Sequence, residues 1–239
     1  MITPDLSLQF FVESTFSLTF MAMAGGAIFF LFMKDSVNPT HRPAMVVSAV
    51  ILFIAAMNYY FMTEYYTESV AQGLEAFPTS FRYIDWILTT PLMLIKFPLL
   101  LGLGKQGLVF MRRLIVLDLI MILSGFFGEI LIDQPVFHFG LFGVGALAWL
   151  LILFLLVSNT RNLPDRFPET VRRCVWIMTL FIMIGWTIYP LGYLLPSFGL
   201  PTDIRELVYN VGDIINKVGL AFVVYVAAVN MTREENAFE

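Results

Sequence analysis

The chain has 239 residues, 59% hydrophobic and 13% charged, with a formal net charge of −4. Soluble domains run at roughly half apolar and about a quarter charged, so this composition excludes an ordinary soluble domain and points to an integral membrane protein. The small net charge without a basic cluster argues against a nucleic-acid partner, and the lone cysteine, Cys174, excludes an internal disulfide framework.

A helix needs about 20 largely apolar residues to cross a bilayer. Seven candidates follow in chain order, over residues 8–33, 43–65, 80–103, 109–131, 138–158, 171–195 and 204–230. The first is long for a signal sequence and lacks a basic leader, so it reads as a helix of the mature protein. Breakers separate the candidates: Asn38-Pro39, Gly102 to Gly107, Asp133-Gln134-Pro135, Asn162-Leu163-Pro164 and Pro196 to Pro201. No linker or repeat divides the chain. Residues 1–239 therefore predict one all-α domain, a seven-transmembrane-helix bundle in a lipid bilayer.

Basic residues set the expected orientation. Lys34 and Arg42 lie between the first two helices, Lys105, Arg112 and Arg113 after the third, Arg161, Arg166, Arg172 and Arg173 around the fifth loop, and Arg233 in the tail. The alternate loops offer only Arg205. The positive-inside rule places the N-terminus outside and the C-terminus in the cytoplasm.

Charged residues within hydrocarbon are costly and mark function by default. The third helix holds Arg82, Asp85 and Lys96, the fourth Asp118 and Glu129, the seventh Asp213 and Lys217. Asp213 and Lys217 are four apart, so they share a face. That spacing leaves two readings open: an ion pair that fixes packing, or a lysine placed to form a Schiff base with an aldehyde. Arg82, Asp85 and Lys96 also share a face, with Lys96 roughly 16 Å beyond Asp85 along the axis. This is an axial row of titratable groups, although Lys96 could instead snorkel to the interface. Trp186, Tyr189, Pro190 and Tyr193 form an aromatic stripe on the sixth helix, a pattern that core packing alone also produces.

Three strings carry a resemblance. Arg82-Tyr83-Ile84-Asp85-Trp86-Ile87-Leu88-Thr89-Thr90-Pro91 resembles the third-helix signature of microbial rhodopsins. Trp186-Thr187-Ile188-Tyr189-Pro190-Leu191-Gly192-Tyr193 is similar to their sixth-helix wall, and Asp213-Ile214-Ile215-Asn216-Lys217 to their seventh-helix lysine motif. The strings occur in the family's order, and the layout covers nearly the whole chain.

The resemblance implies that Lys217 carries all-trans retinal as a protonated Schiff base, with Asp85 as counterion and proton acceptor and Asp213 as second counterion. It places Arg82 on the extracellular side, coupling Asp85 to proton release, and Thr89 in hydrogen bonding near Asp85. Trp86 and Trp186 would sandwich the polyene, with Tyr59, Tyr189, Pro190, Thr90, Met121, Ser124 and Gly125 around it. Asp118 would sit near the chromophore in a packing role, and Met93 at a colour-tuning position that favours green absorption.

Asp85, Thr89 and Lys96 match neither the sodium-pump nor the chloride-pump pattern of the family. With Phe97-Pro98-Leu99-Leu100-Leu101 they resemble the bacterial proton-pump branch with a lysine at the cytoplasmic donor position, typified by the Exiguobacterium rhodopsin. The implied function is a light-driven outward proton pump of a bacterial plasma membrane, a transporter and not an enzyme, forming a homo-oligomer. Desolvation penalises a buried ammonium, so Lys96 is expected neutral in the dark, taking up and relaying a cytoplasmic proton. One departure stands out: Asn58 occupies the place of a histidine that pairs with the counterion in this branch, and Asn can bond to Asp85 but hold no proton.

Glu206 is a candidate for proton release or else a solvated loop carboxylate. Glu13 and Glu129 have no assignment, and His41 and His138, at helix ends, are expected to be solvated. A sensory photoreceptor with the same pocket is the alternative function; a protein without retinal would leave Lys217, the Asp pair and the Trp pair idle.

Overall fold

The computed structural model describes residues 4–73, 77–101, 104–161, 163 and 167–237. Parts of two expected loops, including Gly102, Asn162, Pro164 and Arg166, lie outside the described residues. Among the described residues there is no strand. The helices are α1 (Pro4–Met33), α2 (Arg42–Ala71), α3 (Ser80–Leu100), α4 (Gly104–Ile130), α5 (Pro135–Thr160), α6 (Glu169–Met183), α7 (Ile188–Leu194), α8 (Thr202–Asp213) and α9 (Leu220–Ala237). Helices α6 and α7 are two parts of one rod, as are α8 and α9, so the described helices form a seven-helix bundle. Six rods are long and apolar enough to cross a bilayer; α4 is the rod that carries the buried Asp118.

Each rod packs on the next in sequence, and the seventh closes back on α1 and α2. Short connections make sequential neighbours adjacent, so the chain order becomes the ring order. The outside of the ring is apolar: Phe32, Phe154 and Val136 are 76%, 67% and 83% exposed. In water such a surface would be an aggregation hazard, whereas against lipid it is the matching solvent. The inside holds the polar minority, with Arg82, Asp85, Lys96, Asp118, Glu206, Asp213 and Lys217 all buried.

The sixth rod is not the unbroken helix that its hydropathy predicts. It breaks at Ile184 into a 3-10 turn over Gly185–Thr187 before α7 begins. Pro190 is the local cause, because it brings no N–H to the carbonyl of Trp186 four residues back and its ring crowds that carbonyl. Facing the break, the seventh rod widens into a π-helix over Ile214–Gly219, which contains Lys217. The two irregularities are joined, since Asn216 Nδ2 donates to the Gly185 carbonyl at 2.9 Å. A side chain at Gly185 would run into the Asn216 amide, so glycine is required for this approach. Single π turns inside helices frequently mark functional sites.

Two ends are tied more firmly than the sequence suggested. His41 is 3% exposed and meets Glu235 at 3.0 Å, so it is not solvated: the end of α9 folds over the α1–α2 connection and covers it. His138 is 2% exposed, with Nδ1 2.8 Å from the Gly128 carbonyl and its ring stacked on Tyr193. The helix-end position that favours solvation is overridden there by the packing of α4, α5 and α7.

A buried lysine between two carboxylates

The π-helix turns Lys217 toward the bundle axis. Its Nζ donates to Asp85 Oδ2 on α3 and lies 2.8 Å from Asp213 Oδ2, one turn back on its own rod. All three side chains are about 1% exposed. Taking charges out of water at this depth is costly unless they are paired and hydrogen-bonded. Here one cation has two anions, and the surplus negative charge is met from further out.

Asp213 is the saturated carboxylate of the two. Tyr59 donates to its Oδ2 at 2.8 Å and Tyr189 to its Oδ1 at 2.6 Å. Asp85 has Lys217 on one oxygen, while its Oδ1 has no hydrogen-bond partner among the described residues. Thr89 bonds to the Asp85 backbone carbonyl at 2.9 Å and not to its carboxylate. Asn58 also turns elsewhere: its amide donates to the Phe81 carbonyl at 2.9 Å. Asn58 and Asp85 are therefore not bonded to each other.

Arg82 continues the network outward. Its Nη1 donates to Tyr59 at 3.1 Å, so it is linked to Asp213 through the tyrosine. Its other side meets Glu206 at 2.6 Å and Asn210 at 2.7 Å. The rings of Phe16, Tyr59, Phe77 and Tyr209 surround the guanidinium, with centroids 5.1 to 6.0 Å away, a contact favourable to a cation. Glu206 takes a second guanidinium, Arg205, at 2.9 Å. Glu206 is 0% exposed, so it is a buried anion between two arginines and not a solvated loop carboxylate.

On the other side of Asp85 the chemistry thins out. Lys96 is 0% exposed, and its Nζ has no hydrogen-bond partner among the described residues. Its α3 neighbours Leu94, Phe97 and Leu100 belong to the large apolar cluster shared with α4, α5, α6 and α9. The lysine does not snorkel.

Beside the ion cluster lies an apolar cavity, with about 710 Å³ of empty space including its open mouth. Trp86, Trp186, Tyr189, Pro190, Met121 and Gly125 line it, as does Thr90, whose hydroxyl donates to Asp118 at 2.9 Å. Tyr59, Met93, Ser124 and Asp118 are buried close by but do not form its wall. Tyr83, Trp149 and Tyr209 do, and sequence reasoning missed them as wall residues. Tyr83 stood inside the third-helix string, whereas Trp149 and Tyr209 carry no local signal. Tyr189 joins cavity to cluster, since its ring lines the first and its hydroxyl bonds Asp213 in the second. Lys217 is not itself a wall residue, so Tyr189 is the link between the apolar cavity and the lysine's ion cluster.

A membrane bundle with an apolar cavity and a lysine held by two buried carboxylates defines a class of chromophore-bearing membrane proteins. Residues 10–231 match the family of bacteriorhodopsin-like proteins, and the chain belongs to that family. It is 29% identical to the green-light absorbing proteorhodopsin of Gamma-proteobacterium EBAC31A08, over 94% of this chain and 89% of that protein. Among solved structures it is similar to the Exiguobacterium sibiricum rhodopsin, with a TM-score of 0.83 and 37% identity over 93% of this chain and 98% of that one. A thermophilic rhodopsin superposes with a TM-score of 0.89 at 26% identity, covering 96% of each chain.

Proposed function

We propose that this protein is a light-driven pump that moves protons outward across a bacterial plasma membrane, using retinal carried on Lys217 as a Schiff base. Similarity to proteorhodopsin supports the proton as cargo. The observation that carries the reading is the asymmetry along α3: a densely bonded cluster around Asp85 on one side and an isolated buried amine, Lys96, on the other. The positive-inside bias supports placing the Lys96 end toward the cytoplasm.

When bound, the chromophore supplies light absorption and an isomerisation that displaces the proton of the Lys217 nitrogen. Asp85 is the acceptor, because its Oδ1 has no competing donor. Asp213 remains the fixed anion, since two tyrosine hydroxyls occupy its oxygens and such donors favour the charged form. Arg82, anchored by Glu206 and Asn210, keeps positive charge on the outer side of the pair. Lys96 holds the return path. With no counterion among the described residues and an apolar surround, a resident charge is costly there, so it can take a proton from the cytoplasm and pass it inward. Trp86 and Trp186 would hold the polyene in the apolar cavity that they line, and Asn58 props the α2–α3 contact through Phe81 without titrating.

The test is the light-induced pH change in a suspension of cells expressing the protein, supplied with all-trans retinal, with and without a protonophore. External acidification abolished by the protonophore is expected. A coloured pigment that moves no protons would overturn the pump reading in favour of light sensing.

A further inference from the structure

Two buried carboxyls lie at the Arg82 end, and they are chemically opposite. Glu206 is committed as an anion, with Arg82 at 2.6 Å and Arg205 at 2.9 Å. Glu129, near the end of α4, has both carboxyl oxygens buried and no hydrogen-bond partner for either among the described residues. Thr79 is its uncharged polar neighbour. Arg205 on α8 faces it, but that guanidinium is engaged, Nε with Glu206 and Nη2 with the Phe77 carbonyl at 3.4 Å. Glu206 and Arg82 are the other charged groups around it. From α3, α7 and α8, Tyr83, Tyr193 and Tyr209 lie within its electrostatic reach, and all three rings line the chromophore cavity. On the α5 side His138 lies close by, its Nδ1 held by the Gly128 carbonyl at 2.8 Å and the Tyr193 hydroxyl at 3.0 Å.

An ionised carboxylate left buried without a partner is far costlier than a neutral acid. Glu129 therefore carries a proton in the dark, whereas Glu206 sits between two guanidiniums. We infer that Glu129, set between the tyrosine wall of the cavity and the Arg205–Glu206 pair, is the group that gives up a proton to the outer medium during the light cycle. This rests on the pump reading above. The proton ledger closes: Asp85 takes the proton of the Lys217 nitrogen, Glu129 loses its own O–H proton to outer water, and the proton on Asp85 later restores Glu129. The arginine pair next to the vacated carboxylate supplies the positive potential that makes its brief ionisation tolerable.

The experiment is infrared spectroscopy of the retinal-loaded protein, dark and illuminated, on wild type, Glu129→Gln and Glu206→Gln, with a pH-indicator dye reading transient proton release from the same samples. The expected dark spectrum of wild type contains a protonated-carboxyl C=O stretch that Glu129→Gln lacks. Light bleaches that band in wild type, and the bleach survives in Glu206→Gln. The dye signal in Glu129→Gln is lost or delayed at least tenfold. A bleach that persists in Glu129→Gln, or that disappears in Glu206→Gln instead, overturns the assignment. The infrared bands report Glu129 whether or not net transport occurs. Failure of the pump reading would show separately, as a wild type that acidifies no medium.

Discussion

The two ends of α3 sit in the same bundle and treat charge in opposite ways. At the Arg82 end every charged group named above except Glu129 has a partner, and one hydrogen-bonded chain runs from Lys217 through Asp213, Tyr59, Arg82 and Glu206 to Arg205. At the Lys96 end an amine stands in an apolar cluster with nothing to bond among the described residues. The difference teaches how one fold can hold charge in place at one end and let it come and go at the other. A networked ion is fixed by what its removal would strand; a lone amine is free to change its protonation state, since no partner is left uncompensated when it does.

The largest effect expected is all-or-none. Lys217→Ala removes the amine held between Asp85 and Asp213, and protein purified after retinal addition should be colourless. A stable visible band in that variant would mean that the attachment point has been misassigned. Next comes Lys96→Ala, which should slow return of the proton to the Lys217 nitrogen by about 100-fold or more, the usual worth of a positioned proton-transfer group. Flash photolysis reads this directly, and an unslowed return would break the contrast between the two ends.

Stability sharpens the same contrast. Glu206→Gln strands Arg82 and Arg205 around a neutral amide. Removing one partner of a buried ion pair costs about 3–5 kcal/mol, so thermal bleaching should occur at a distinctly lower temperature. Lys96→Met strands nothing and should leave that temperature unchanged or raised. Equal losses from both substitutions would show that the apparent isolation of Lys96 is not energetically real. Smaller still is Thr90→Val, which takes from Asp118 the hydroxyl on Oδ2 while its Oδ1 is already without a partner. The cost of an unsatisfied buried acceptor is about 1–3 kcal/mol, readable in the same bleaching assay. Glu235→Ala, which opens the half-exposed clasp on His41, should cost no more than about 1 kcal/mol.

Much of this protein was legible before folding. Hydropathy picks out six of the rods by itself, because a bilayer imposes one length on every crossing segment. Helical spacing puts Arg82, Asp85 and Lys96 on one face of α3, and the same spacing puts Asp213 beside Lys217, since neighbours three and four apart must meet whatever surrounds them. Trp86, Trp186 and Tyr189 were visible as members of local strings. These are properties of one helix at a time, and a single sequence carries them.

What only the tertiary structure decided lies between helices. Asn58 could be read as a partner for Asp85 until packing of α2 on α3 offered it the Phe81 carbonyl. Glu206 was open to two readings until α8 brought it against Arg82, 124 residues away in sequence. His41 and His138 look solvated from their positions at helix ends and are buried by neighbours the local sequence does not announce. The break before Pro190 and the π turn at Lys217 need each other through Asn216 and Gly185. In each case the outcome depends on which donor and acceptor come within about 3 Å across an interface, a distance that local periodicity does not encode and that is set only when seven rods close into one ring.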